Sequence, residues 1–250
     1  MFQDEAPWLK EWIEYNLMQG FEHFYLYNNL SHDNYKEVLE PYIEKGIVEL
    51  EEWPYDHEIA DEFDAIQCKA YSHALKKAKK EAHWLAILDA DEFFVPIKAP
   101  TISKLLQETE ARDKKIGQVH CFWIVFGTSH IWEVPKDKLM IETLLLNGGT
   151  SNLYKCIVRP KFVDYCASPH HCILKPTIKM VTLGYDTVQI NHYWTRDEKF
   201  LHEIKVPRRE KYSTDSTTVL QWASASNNET IYSKPILRFI PELRKRMGLD

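Results

Sequence analysis

No stretch of this chain approaches the roughly 20 consecutive apolar residues that a membrane-spanning helix needs, and its start carries no signal-peptide pattern. There is no basic excess: 31 Lys and Arg face 37 Asp and Glu, and the formal charge of −6 argues against a general nucleic-acid binder. Cysteine is sparse and odd in number, five in all, without the spacing of a disulfide framework. That usage fits a reducing compartment. The expectation is a cytoplasmic protein, associated with the inner face of the membrane at most peripherally. Internal repeats and low-complexity linkers are also missing. What remains, 250 residues with 44% hydrophobic and 27% charged content, can bury one substantial core. One α/β unit with appended elements is the simplest partition.

The stretch Trp84-Leu-Ala-Ile-Leu-Asp-Ala-Asp-Glu-Phe-Phe94 stands out. Five uncharged residues run into Asp89, Asp91 and Glu92, which reads as a buried strand delivering acids to the carboxyl edge of a sheet, where α/β proteins bind ligands. In extended chain Asp89 and Asp91 point the same way. Two adjacent carboxylates repel unless a cation lies between them, and oxygen ligands suit Mg²⁺ or Mn²⁺. Such ions are held through one or two carboxylates together with substrate phosphates. The stretch is therefore a candidate metal–diphosphate site, against the plain alternative of solvated acids at a strand end. An EF-hand is excluded by Phe94 at the position that needs glycine. A phosphatase with Asp89 as nucleophile is a second reading, but Glu92 follows where Thr or Val is usual.

Around this stretch, strand and helix alternate. A helix opens after Asp4, with Pro7 in its first turn and Leu9, Trp12, Ile13 and Leu17 at helical spacing, and Gly20 stops it. His23–Tyr27 reads as a strand, Val38–Ile43 as the apolar face of a helix, and Ile47–Leu50 as another strand. Asp61–Lys80 is the longest helical pattern, its lysines a solvated end. This order predicts a doubly wound, mostly parallel sheet. A helix follows at Ile102–Arg112 and a strand at Gln118–Phe126. The segment Leu139–Leu146 fits strand or helix, and Tyr154–Val158 reads as a strand. Four thiols and imidazoles in Cys166–Cys172 lie too close in sequence to wrap one zinc ion. A basic run containing Lys205, Arg208 and Arg209 offers cations for a leaving diphosphate, or is a solvated helix end. Pro235–Met247 reads as a solvated basic helix. Eight Trp and thirteen Tyr suit a sugar-contacting surface or a plain core.

Several stretches, in order, resemble glycosyltransferase family 92 and the related family-2-like proteins: Asp4-Glu-Ala-Pro-Trp-Leu-Lys-Glu-Trp12, Tyr27-Asn-Asn-x-Ser-x-Asp-Asn34, Leu88-Asp-x-Asp-Glu-Phe93, Phe126-Gly-Thr-Ser129, Lys155-x-x-Val-Arg-Pro160, His170-His171 and Asn191-His-Tyr-Trp-Thr-Arg196. The resemblance implies a GT-A-type fold over residues 1–211, with a nucleotide-sugar half at about 1–98, an acceptor half at about 99–211, and a helical extension at 212–250. It implies a metal-dependent, UDP-linked hexose transfer to a glycan or glycolipid, of the inverting kind, in cell-surface polysaccharide synthesis. By the same resemblance Glu5, Asn29 and Gln67 face the donor, although a helix-start carboxylate, a turn former and a surface glutamine are the plain alternatives. Glu142, which resembles a family Glu in a similar apolar setting, is favoured over Glu133 as the base, with a structural carboxylate the plain alternative. His192 is favoured over His170 and His171 as a metal ligand beside Asp89 and Asp91. Similar proteins carry a strand before Asp4, of which only Met1-Phe2-Gln3 is present here, so the first strand is expected to be truncated. A non-catalytic sugar-nucleotide binder is the alternative that this departure raises.

Overall fold

The computed structural model of the chain describes residues 1–55, 60–211, 215–228 and 231–249. Its strands are β1 (Phe24–Asn28), β2 (Val48–Glu52), β3 (Leu85–Ala86), β4 (Glu92–Pro96), β5 (Ile116–Phe126), β6 (Asn147–Val158), β7 (Val163–Ser168), β8 (His171–Leu174), β9 (Lys179–Leu183) and β10 (Val188–His192). The helices are α1 (Ala6–Met18), α2 (Tyr35–Glu44), α3 (Ala60–Glu81), α4 (Ile102–Arg112), α5 (Met140–Thr143), α6 (Glu198–Phe200), α7 (Val206–Lys211), α8 (Ser216–Ala225) and α9 (Ile240–Met247). A π-helical turn, Leu201–Lys205, joins α6 to α7.

The α/β class stands, with a central six-stranded sheet in the order β3-β6-β5-β10-β4 and β9 alongside β5. Its pairing is more mixed than strand–helix alternation predicts. β1 with β2, and β5 with β9 and β10, are parallel, while β6 pairs antiparallel with β3 and β5, and β4 with β10. The alternation ends near residue 112, and the second half of the chain returns by short connections that permit antiparallel neighbours. One edge of β5 takes β6; along the other, β9 pairs with residues 116–121 and β10 with 123–125.

The Trp84–Phe94 run is not one strand. It breaks into β3, a turn at residues 90–91, and β4. The turn closes through Glu92 N–H to Asp89 C=O, 3.1 Å. Helix α1 fixes where β4 lies. Its apolar stripe, Leu9, Trp12 and Ile13, is buried, each such side chain contributing about 1.5–3 kcal/mol by leaving water. Two polar tips on α1 then reach the β4 backbone: Trp12 Nε1 donates to Glu92 C=O at 2.9 Å and Tyr15 Oη to Phe94 C=O at 2.8 Å.

Phe2 forms a single parallel bridge with Asn28, its N–H donating to Tyr27 C=O. Beside it a cavity of about 510 Å³ lies between β1 and β3, bordered by Leu26, Tyr27, Leu85 and Ala86. Among the described residues, no ladder joins the β1–β2 pair to the six-stranded sheet. The carboxyl-terminal part is not a solvated appendage. Ile236, Ile240 and Leu243 recur at helical spacing and are buried in the same core as α1, and Val219 and Ala223 of α8 pack on Trp194, Leu201 and Val206.

Tyr15→Phe keeps the ring and strands the Phe94 carbonyl inside the core. It should cost about 1–3 kcal/mol, read as a lower urea midpoint at unchanged m-value; an unchanged midpoint would show that the α1–β4 tether is dispensable.

Candidate active site

Three acids fall within four residues at the β3–β4 turn, two of them met by β6 and the third by β10 and the π-helical turn. Asp89 Oδ2 accepts from Lys155 Nζ at 2.7 Å, and its Oδ1 from the Tyr71 hydroxyl of α3 at 3.2 Å. Burial alone would raise the Asp89 carboxyl, yet it lies below the ordinary aspartate range, with Lys155 the foremost of the groups that lower it. Lys155 sits on β6, its ammonium fully buried and 3.8 Å from Glu92 Oε2. Burial pulls that ammonium down, but Asp89 and Glu92 outweigh it, so it stays charged. Glu92 accepts the Asp89 N–H at 2.9 Å. Its complete burial pushes its carboxyl well above the glutamate range despite Lys155.

Asp91 turns the other way. The β4–β10 register sets Glu92 opposite His192, which brings His192 Nε2 within 3.4 Å of Asp91 Oδ1. Lys205, from the π-helical turn, stands 3.6 Å from Asp91 Oδ2. Burial would raise the Asp91 carboxyl, and His192, Lys205 and Arg196 together bring it far below its usual value. Burial in turn lowers the Lys205 ammonium, only partly offset by Asp91. Asp91 Oδ1 is buried without a hydrogen-bond partner, as is His192 Nδ1. The backbone is held as well: Arg196, wholly buried, donates to Ala90 C=O at 3.1 Å and to Glu5 Oε2.

These groups face a cavity of about 800 Å³. Of the residues singled out from sequence, it is lined by Glu5, Asn29, Gln67, Asp89, Asp91, His170, His192, Lys205, Arg208 and Arg209. Gln67 is buried on the cavity side of α3 rather than lying on the surface. Asn29 Oδ1 accepts the Tyr55 N–H at 2.8 Å, and Arg208 donates to Gln3 C=O at 3.0 Å. Glu142 and Glu133 do not line the cavity. Glu142 is bonded to Arg244 of α9 at 2.7 Å and to the Leu139 N–H, which makes it a brace between α5 and the carboxyl-terminal helix. Glu133 is exposed and pairs with Lys199. His171 turns from the cavity to Gln118 and His120. Cys166 and Cys172 face each other across the β7–β8 hairpin. Among the described residues, no three His, Cys, Asp or Glu side chains are gathered to hold a metal ion by themselves.

The family model for glycosyltransferase family 92 matches residues 1–235. The chain belongs to that family. A family-92 protein of Arabidopsis thaliana is 24% identical over 203 residues, covering 77% of this chain and 34% of its own length. One of Oryza sativa subsp. japonica is 26% identical over 196 residues, with 77% and 32% covered. The chain thus spans about a third of the length of these curated relatives. Among solved structures, a mannosyltransferase from Pyrobaculum calidifontis in complex with GDP-Man and Mn²⁺ aligns at 14% identity and a TM-score of 0.42, covering 99% of this chain and 67% of that one. At that score the likeness is slight. The sheet flanked by helices agrees with the GT-A-type fold that family-92 membership implies.

Two residues of this family-92 site escaped notice as functional in the sequence. Lys155 stands between Tyr154 and Cys156 in a strand, where a lysine reads as a solvent-facing residue, and Arg196 follows an aromatic run. Their only signal was a place in the family's ordered motifs. Lys155→Met should cost about 1–3 kcal/mol in urea unfolding, because the buried Asp89 carboxylate loses its cation. Asp89 takes up a proton in its place, which keeps the loss below that of a bare buried charge. Lys155→Arg should recover part of it; equal stability of the Met variant would contradict the pairing.

Proposed function

We propose that this chain is the catalytic part of a metal-dependent, inverting glycosyltransferase that moves a hexose from a nucleotide sugar, UDP-linked, to a glycan or glycolipid acceptor in cell-surface polysaccharide synthesis. The observation that carries the reading is the Asp91–His192 pair: a buried carboxylate oxygen without a hydrogen-bond partner, 3.4 Å from an imidazole nitrogen, in a cavity also lined by Lys205, Arg208 and Arg209.

A divalent cation suits this donor set, because Mn²⁺ or Mg²⁺ takes one or two carboxylates, an imidazole in the case of Mn²⁺, and substrate phosphate oxygens. Asp91 and His192 would hold it, with Asp89 behind them fixed by Lys155. Bound there, the ion supplies Lewis acidity toward the departing diphosphate. The chain's own side chains do the rest. Lys205, Arg208 and Arg209 place fixed positive charge where the leaving nucleoside diphosphate gathers negative charge. Asn29 and Gln67, both buried at the cavity wall, offer amides to the nucleoside. Glu5 serves the site through Arg196, which steadies the Ala90 carbonyl at the centre of the turn. Glu142, braced by Arg244 outside the cavity, has no part in this assignment.

Asp91→Asn and Asp89→Asn should each lower Mn²⁺-dependent nucleotide release from a UDP-sugar by at least about a hundredfold and also lower the urea midpoint, since each leaves a buried cation, Lys205 or Lys155, without its carboxylate. His192→Ala should raise the Mn²⁺ concentration needed for half-maximal rate, and His170→Ala should not. Full nucleotide release in Asp91→Asn would end the reading.

A further inference from the structure

An indole left half open to solvent at the mouth of a cavity needs a reason, because its ring is among the largest apolar areas a side chain can bury. Trp222 is 51% exposed and lines the same cavity as Asp91 and His192. We propose that Trp222 is the stacking platform of the acceptor subsite, taking the C–H face of a pyranose ring; the proposal rests on the glycosyl-transfer reading above.

The platform is rigid. Helix α8 is capped by Asp215, which accepts the Thr218 N–H at 2.9 Å, and it buries Val219 and Ala223. Past its end, Asn227 Oδ1 accepts the Ser129 N–H at 2.8 Å and Nδ2 donates to Thr128 Oγ1 at 2.9 Å. The helix end lies so close to β5 and β6 that a side chain beneath it would be crowded by its backbone. A Cβ on Gly127 would stand 2.7 Å from Ser226 C=O, and one on Gly148 would stand 3.0 Å from Ala225 C=O. A ring presented from so fixed a helix keeps its orientation without a ligand, which lowers the entropy lost when one binds.

The platform is also joined to the reacting end of the cavity by direct contacts. Trp222 meets Trp194 edge-on, with centroids 6.5 Å apart. Lys205 lies over the Trp194 ring at 5.7 Å and reaches Asp91 at 3.6 Å. Gly148, Gly149, Thr150 and Ser151 line this cavity too; the Gly149 and Ser151 amides are taken by Asn147 and Tyr185, and the Thr150 and Ser151 side chains bring small hydroxyls. A flat aromatic face beside short polar groups matches a sugar, whose ring carries C–H bonds on one face and hydroxyls around its rim. The indole face is the negative side of its quadrupole and attracts such C–H groups. The amides suited to a base, Asn29 and Gln67, come from the loop after β1 and from α3, not from α8 or β6.

Nitrogen-15 tryptophan labelling gives the test, the Trp222 indole resonance being identified by its loss in Trp222→Phe. Methyl β-D-galactopyranoside, methyl β-D-glucopyranoside and methyl α-D-mannopyranoside are titrated separately, as is UDP with Mn²⁺. At least one glycoside should shift the Trp222 resonance and UDP should not. By saturation-transfer NMR, Trp222→Phe should retain glycoside binding and Trp222→Leu should weaken it roughly tenfold. A shift with UDP alone would make the ring a nucleobase platform and overturn the proposal, as would no shift with any glycoside. Unweakened binding in Trp222→Leu would reduce the contact to apolar area and overturn it as well. Wild-type nucleotide release from UDP-sugars is read in parallel: a glycoside shift without it supports the subsite and counts against the transfer reading.

Discussion

Three carboxylates in four residues cannot be enclosed without cations, and much of this structure follows from that constraint. Asp89, Asp91 and Glu92 sit at one turn, and each would be raised by burial alone. Asp89 and Asp91 are kept charged by groups from distant parts of the chain: Lys155 from β6, His192 from β10 and Lys205 from the turn before α7. The fourth residue of the turn, Ala90, has its carbonyl bound by Arg196. The acids divide the labour. Asp89 and Glu92 settle around one buried ammonium as structure, and Asp91 is left with an oxygen that has no hydrogen bond.

The fold brings these partners together by register rather than by sequence proximity. Antiparallel pairing of β4 with β10 sets His192 against Glu92, and β6 pairing with β5 sets Lys155 opposite Cys121. Because side chains alternate along a strand, a shift of one residue in β10 would turn His192 to the other face and leave Asp91 without its imidazole. Trp12 and Tyr15 on α1 hold β4 by its carbonyls, so the helix that opens the chain also fixes the register of the site. Packing and function therefore share the same elements here.

Much of this was legible in the sequence where periodicity was strong. Helices α1 to α4 and strands β1, β2 and β5 lie where apolar spacing and the stop signal at Gly20 place them. The Asp-x-Asp stretch was legible as a site but not as a shape: two acids in succession favour a turn, and a run of five apolar residues did not extend the strand through them. The β7–β8 hairpin was hidden because Cys166–Cys172 has no alternation to announce it. Side-chain partners were harder still. Lys155 and Asp89 are 66 residues apart and Glu142 and Arg244 are 102 apart, so neither pairing was legible and Glu142 read as a base. Gln67 read as surface because a single helical face does not reveal that it borders a cavity.

The account turns on His192 and Asp91 forming one coordination pair. Pulsed electron paramagnetic resonance of Mn²⁺ bound with UDP to the nitrogen-15-labelled protein addresses this without turnover. The predicted result is coupling to one histidine nitrogen, lost in His192→Ala and kept in His170→Ala. Coupling that survives in His192→Ala, or no nitrogen coupling in the wild-type protein, would contradict it.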